Sequence, residues 1–227
     1  VRHCFRSRIS VSSVTIPRFG LSTSYVIWAV LLALGTLTYF AIGKNPPFFQ
    51  LRAAGMDRES ATRIARGAGQ ELFPAESVAI SLRHSAQAWR TWALVFVYFT
   101  SFGGFMALTG WLPKYWAGLH GVSVAQAGGL AALYSVLASL SRVGGGRLAD
   151  AVGGGRTAIV SLLILAVCAA AMSAVAPVPF AIAAMVGMAV SMGTVNAAVF
   201  KLVPQVVPDA VGGAAGWVGG LGAFGGF

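Results

Sequence analysis

Apolar residues fill the chain in runs of about twenty, separated by short polar joints. Five runs have membrane-spanning length, at 24–43, 92–112, 124–146, 157–176 and 179–203, and a sixth begins at 212 and continues to the end. A bilayer core takes roughly 20 residues of helix. No run alternates with a period of two, so the pattern predicts helices, each satisfying its own backbone in lipid, rather than barrel strands. The one long hydrophilic stretch is 44–91, and within it "DRESATRIAR" predicts a short surface helix. The fold class expected is an all-α membrane protein of about six transmembrane helices, with the lipid bilayer as its surroundings.

Composition agrees. Of the 227 residues, 57% are hydrophobic and 10% charged, against about 25% charged in a soluble domain. A net charge of +10 would suggest nucleic acid for a soluble chain. Here the basic residues flank spans, where an excess of Lys and Arg marks the cytoplasmic side, and no nucleic-acid partner is expected. Lys44, Arg52, Arg58, Arg63, Arg66, Arg83 and Arg90 face four acids in 44–91, which puts that stretch in the cytoplasm. Alternation then puts 113–123 outside, 147–156 inside, the turn at 176–179 outside, and the joint near Lys201 and Asp209 inside. The tail breaks the rule, since its four arginines would lie outside. Residues 1–23 are therefore set apart, as a non-native tail or as the follow-on of a missing partner half. They are basic and lack an apolar core, so they are not a secretory signal. Cys4 and Cys168 have no metal-ligand spacing, and Cys168 reads as a small core residue. No nucleophile–base set, metal cluster or cofactor motif is present, so neither an enzyme nor a metal or cofactor is expected.

Where one span exits into the cytoplasm the chain reads "GRLADAVGGGR", 146–156. Glycines there allow a tight inter-helix turn, Asp150 can accept hydrogen bonds near a helix N-terminus, and Arg156 supplies a partner charge. Gly146, Asp150, Gly153 and Arg156 resemble the loop motif of the major facilitator superfamily. That resemblance implies two six-helix halves joined by a long cytoplasmic loop. Residues 24–43 would be helix six, 44–91 the inter-half linker, and 92–227 a carboxyl-half bundle running from helix seven into a cut helix eleven. Helices one to five, the amino-terminal half, would then be a missing partner.

Arg142 lies inside the span 124–146, eight residues before Asp150, or about 12 Å from the cytoplasmic end at 1.5 Å per residue. A charge inside a span costs about 2.5 kcal/mol or more and by default has a function. Snorkelling to the interface is the competing reading, but Arg147 already serves the interface. The face of Arg142 carries Gly128, Ala131, Ser135, Ser139 and Gly146, a small, polar stripe suited to a water-filled cavity. A guanidinium offers a planar fork that matches a flat oxyanion, so an anionic, planar substrate is expected. Tyr98, Ser101 and Phe105 share one helical face, and Gly193, Asn196 and Phe200 another. A Tyr hydroxyl and an Asn amide can donate to anion oxygens, and a Phe ring can cover a flat anion.

"YFTSFGGF", "SRVGGGRLAD", "NAAVFKLVP" and "GWVGGLGAFGGF" resemble consecutive landmarks of the nitrate/nitrite porter family within that superfamily, over roughly residues 80–227. The resemblance implies Arg142 as the anion-binding arginine of helix eight, Tyr98 as the helix-seven tyrosine and Phe200 as the helix-ten aromatic. It also implies that the glycines of the last stretch, Gly219 and Gly222 among them, form a glycine-rich signature that leaves room beside the anion. Val195 and Ala197 stand where the family often has glycine, which weakens the assignment of Asn196.

The glycines have a physical reading of their own. Gly212, Gly216 and Gly220 fall four apart, and Gly219, Gly222 and Gly225 three apart, so strips of the last helix carry no side chain and a neighbouring backbone can approach and slide. The six acids, Asp57, Glu59, Glu71, Glu76, Asp150 and Asp209, lie in loops or at interfaces. Without an intramembrane carboxylate relay, exchange of nitrate against nitrite fits better than proton symport. The expected function is that of the carboxyl half of an inner (plasma) membrane transporter of nitrate or nitrite. The alternatives are a carrier of another small anion and a non-transporting membrane fragment.

Overall fold

The computed structural model describes residues 12–70, 73, 77–174 and 177–227. The expectations for residues 1–11, Cys4, Glu71, Glu76 and the first residue of the 176–179 turn lie outside the described residues. Among the described residues the secondary structure is helical throughout, without a strand. Helix α1 (Ser12–Ile42) breaks at Gly20, whose φ of 78° is open to glycine at no steric cost. Its apolar part, Ser22–Ile42, is long enough to cross a bilayer. Two short helices follow, α2 (Pro47–Ala53) and α3 (Arg58–Gly67). They close on a small core of Phe48, Ala61 and Ala65. Asp57 caps α3 by accepting the Ser60 N–H at 2.8 Å, and that bond holds its carboxyl below the usual carboxylate range. The predicted surface helix is thus present and gains its start from a side-chain cap.

Helix α4 (Val78–Gln87) leads into α5 (Trp89–Tyr98), and one π turn, Phe99–Gly103, joins α5 to α6 (Gly104–Leu119). Together α5 and α6 make one membrane-length helix, Trp89–Leu119. A π turn inserts one residue into the helical register, so side chains on the α6 side are rotated relative to a continuous α-helix. Helices α7 (Val124–Val152), α8 (Gly154–Ser173) and α9 (Val178–Val206) complete five spans. The last helix, α10 (Val211–Ala223), is shorter.

Helix α7 begins at a capping box formed by Ser123 and Gln126. It runs past the expected end of its span, because the polar "GRLADAV" remains helical. Gly153, with φ 94°, alone makes the turn into α8. Gly146 therefore sits on the helix and not in a turn, contrary to the reading of the motif. The charge pairing also differs. Asp150 pairs with Lys201 of α9 at 2.5 Å, while Arg156 is exposed on the first turn of α8. The reason is geometric: α9 packs directly on α7, which brings Lys201 across from the last turn of α7.

Two glycines allow that packing. A Cβ on Gly145 would stand 2.6 Å from the Thr194 Cα, and one on Gly193 would overlap the Ala138 carbonyl and Ser141 Oγ. Around this crossing the buried side chains Trp116, Tyr134, Met185 and Met192 build the larger core. Helix α10 packs on α4 and α5 in the same manner. Gly213 lies against the Ser81 carbonyl, its N–H donates to Ser81 Oγ at 3.0 Å, and Trp217 Nε1 donates to the Leu82 carbonyl at 3.0 Å. The last ten-residue helix of the polar stretch 44–91 is therefore fastened to the bundle.

The glycine strips of α10 need correction. Its buried face runs through Ala214, Val218 and Gly222, two residues out of phase with Gly212, Gly216 and Gly220, which is about half a helical turn. Gly212 and Gly220 have nothing within 4 Å of a Cβ position. The tight approaches are at Gly213, at Gly222 against Tyr98, at Gly225 against the Phe99 carbonyl and Gly103, and at Gly226 against Met106.

We expect Gly193→Leu to destabilise the bundle, since overpacking a close helix contact costs about 1–3 kcal/mol. Gly146→Ala, on an open helical face, should be neutral or stabilising. Thermal unfolding of the detergent-solubilised chain separates the two. Equal unfolding temperatures for Gly193→Leu and the unmodified chain would contradict the α7–α9 contact.

Candidate functional site

Arg142 is half-buried on α7, facing the π turn between α5 and α6. Its guanidinium carbon lies 5.2 Å from the centre of the Phe102 ring and 5.9 Å from that of Phe105. Phe105 also stacks on Tyr134, eight residues back along α7. The side chain is thus turned into the bundle and away from the Asp150 end of its helix, opposite to the course of a snorkelling arginine. Its Nε is buried and has no hydrogen-bond partner. Ring faces offer a cation about 2 kcal/mol when both are desolvated, but they accept no N–H in the guanidinium plane, so the fork remains available. The small residues of the expected stripe divide. Gly128 and Ala131 are buried, Ser135 is half-buried, and Ser139 is exposed.

A column of aromatic rings runs beside the guanidinium. Tyr98 stacks on Phe102 at 4.9 Å, Phe102 on Phe105 at 6.0 Å, and Phe200 meets Tyr98 edge-on at 5.2 Å. Tyr98 is 6% exposed and Phe200 42%. Gly222 lets Tyr98 into this place, since a Cβ there would stand 2.6 Å from Tyr98 Cδ1, and Gly219 lies beside the Phe200 ring at an ordinary 3.9 Å. Asn196 is 3% exposed. Its Oδ1 accepts the Ser101 hydroxyl at 2.8 Å, while its Nδ2 is buried without a partner.

Arg142, Tyr98, Asn196, Phe200, Gly219 and Gly222 therefore converge around the π turn. Of the motif residues, Gly146 lies one turn from Arg142 on α7, while Asp150, Gly153 and Arg156 stand farther along, at the end of α7 and the start of α8. Phe102 is the residue that sequence reasoning passed over. It carries the guanidinium and links Tyr98 to Phe105. Its position four after Tyr98 and three before Phe105 was a usable signal, but Ser101 occupied the same face in a continuous helix. The π turn separates the two, leaving Phe102 in the column and turning Ser101 to Asn196.

The described residues hold no group of three or more His, Cys, Asp or Glu side chains able to bind a metal ion. The site combines one guanidinium, one amide whose Nδ2 is unpaired, and several ring faces.

Curated relatives are transporters or extrusion proteins by name. A probable nitrate/nitrite transporter of Mycobacterium tuberculosis is 29% identical over 225 residues, covering 96% of this chain and 51% of the relative. A probable nitrate/nitrite antiporter of Thermus thermophilus is 32% identical over 157 residues, covering 61% of this chain and 35% of the relative. A nitrite extrusion protein of Bacillus subtilis is 32% identical over 136 residues, covering 60% and 34%. The chain spans about half the length of the first and about a third of the other two. No solved structure matches. The model of the Major Facilitator Superfamily matches residues 10–227. With that match over nearly the whole chain, and five helices long and apolar enough to span a bilayer, this multi-pass membrane protein belongs to the major facilitator superfamily.

Proposed function

We propose that the chain forms the carboxyl-terminal half of a secondary transporter that moves nitrate or nitrite across the inner (plasma) membrane by alternating access, with Arg142 binding the anion. The observation that carries the reading is the inward guanidinium, set on the Phe102 and Phe105 rings with its Nε buried and unpaired. A charge partly withdrawn from water without a counter-ion is costly. Asp150 belongs to Lys201, and the remaining acids of the sequence lie in the polar stretch or at the α9–α10 joint. An anion that arrives and leaves supplies what the fixed structure omits.

The geometry favours a flat anion. A planar oxyanion paired with the fork lies in the guanidinium plane, and the Phe102 and Phe105 rings beside Arg142 would be its apolar neighbours. The Tyr98 hydroxyl and the Asn196 amide add donors from two other helices. One bidentate charged contact contributes about 1.5–3 kcal/mol net, which does not offset the dehydration of both ions. The second wall would come from helices one to five of the amino-terminal half. Exchange of nitrate against nitrite accords with the absence of an acid from the apolar runs, because no carboxylate is there to carry a proton.

Two outcomes test this in the longer transporter that carries this half. Arg142→Lys should reduce nitrate uptake in a transport-null host to background, because lysine keeps the charge and loses the fork. Uptake above half of wild type would leave Arg142 as a structural anchor. Gly222→Leu should block uptake while the protein still reaches the membrane, since the new side chain takes the place of Tyr98. Gly220→Leu, on the open face, should transport normally. Equal uptake by the two glycine variants, with equal membrane-fraction blots, would contradict the placement of Tyr98 in the site.

A further inference from the structure

We infer that Ser101 is a positioning residue: its hydroxyl fixes the side-chain amide of Asn196 so that both N–H donors of that amide face the anion. The inference rests on the anion-carrier reading above and adds to it a residue that touches no substrate.

Ser101 is fully buried, and its hydroxyl has one proton and two acceptors in reach, the Val97 carbonyl at 2.8 Å and Asn196 Oδ1 at 2.8 Å. If the proton went to Val97, Asn196 would be better turned over, with its NH2 donating to Ser101 Oγ and its oxygen facing the site. An oxygen there would repel an anion. Thr100 Oγ1 lies 2.9 Å from the same Val97 carbonyl and 3.2 Å from that of Phe96; with its proton on the nearer oxygen, Val97 has a hydroxyl donor without Ser101. The Ser101 proton is left for Asn196 Oδ1, which receives no other hydrogen bond from the described residues. With Oδ1 held, Nδ2 points the other way, buried and unpaired. Two amide donors kept dry and unused are costly unless a ligand takes them.

The π turn makes the arrangement possible. Residues Phe99–Gly103 form it, and Ser101 and Phe102 are consecutive within it. One turns to Asn196 on α9 while the next carries the Arg142 guanidinium. The turn thus sets the amide donors and the charged fork of the same site from two adjacent residues.

The chain contains two asparagines, Asn45 and Asn196, which permits a direct test. Selective 15N-asparagine labelling of the chain in nanodiscs gives two side-chain NH2 pairs, and Asn45→Gln identifies that of Asn196. Ser101→Ala should shift the Asn196 pair and leave the Asn45 pair unmoved, and an unmoved Asn196 pair would overturn the inference whatever the protein transports. In the assembled transporter, Ser101→Ala should raise KM for nitrate about tenfold, the loss of one charge-assisted hydrogen bond, with kcat within about twofold. In an Asn196→Ala background the same substitution should change KM no further, because the effect passes through Asn196. An equal rise in both backgrounds would show that Ser101 acts by packing alone. Ser101→Thr, which keeps the hydroxyl, should restore both the spectrum and KM, and a Thr variant that behaves like Ala would contradict the hydrogen-bonding role. Failure of the carrier reading would appear elsewhere, as absence of nitrate flux in the unmodified transporter, and would not alter the spectral result.

Discussion

A guanidinium inside a bundle of apolar helices is the constraint on which the rest of the structure turns. The fold must solvate that planar, delocalised cation, pair it or reserve it for a ligand. Here it rests on the rings of Phe102 and Phe105, with its Nε in plain lack of an acceptor. Ring faces stabilise the cation from above and leave its plane unsatisfied. Under the proposed function, the position is tolerable when empty and better when filled by an anion. A fixed carboxylate in the same place would hold the arginine permanently and leave nothing for the cargo.

Close helix packing is what delivers the partners to that charge. Gly145 and Gly193 bring α7 and α9 together, which carries Asn196 and Phe200 to the level of the π turn. Gly222 admits Tyr98, and Gly103 and Gly225 let the π turn touch the end of α10 backbone to backbone. Packing between lipid-immersed helices relies on such close approach, since apolar side chains gain little by leaving lipid for protein. The contacts that hold the bundle are also those that the proposed alternating access would have to shift.

Much of this was legible in the sequence, because hydropathy and the strangeness of a charge in a span are strong local signals. Run length yields the five spans, and helical spacing makes Tyr98, Phe105, Asn196 and Phe200 candidates but not Phe102, the nearer ring beside Arg142. The failures share a cause. Gly212, Gly216 and Gly220 were read as a packing strip, yet the buried face is set half a turn away by Ala214 and Val218, which only the neighbouring helices determine. The motif suggests a turn at Gly146, but nothing in "GRLADAV" stops a helix, and of the glycines in 146–155 Gly153 alone takes a positive φ. Phe102 was hidden by one inserted residue, since helical spacing assumes an unbroken α register and the π turn breaks it.

The central claim is that Arg142 holds a planar anion through two parallel N–H···O bonds. Isotope-edited infrared difference spectroscopy of the reconstituted transporter, with 15N-nitrate against 14N-nitrate, reads this directly. In free nitrate the asymmetric N–O stretch is doubly degenerate, and bidentate pairing of two oxygens removes the threefold symmetry. The account predicts a split band for bound nitrate that is lost in Arg142→Gln. A bound-nitrate band with the same splitting in Arg142→Gln, or one indistinguishable from nitrate in water, would contradict it.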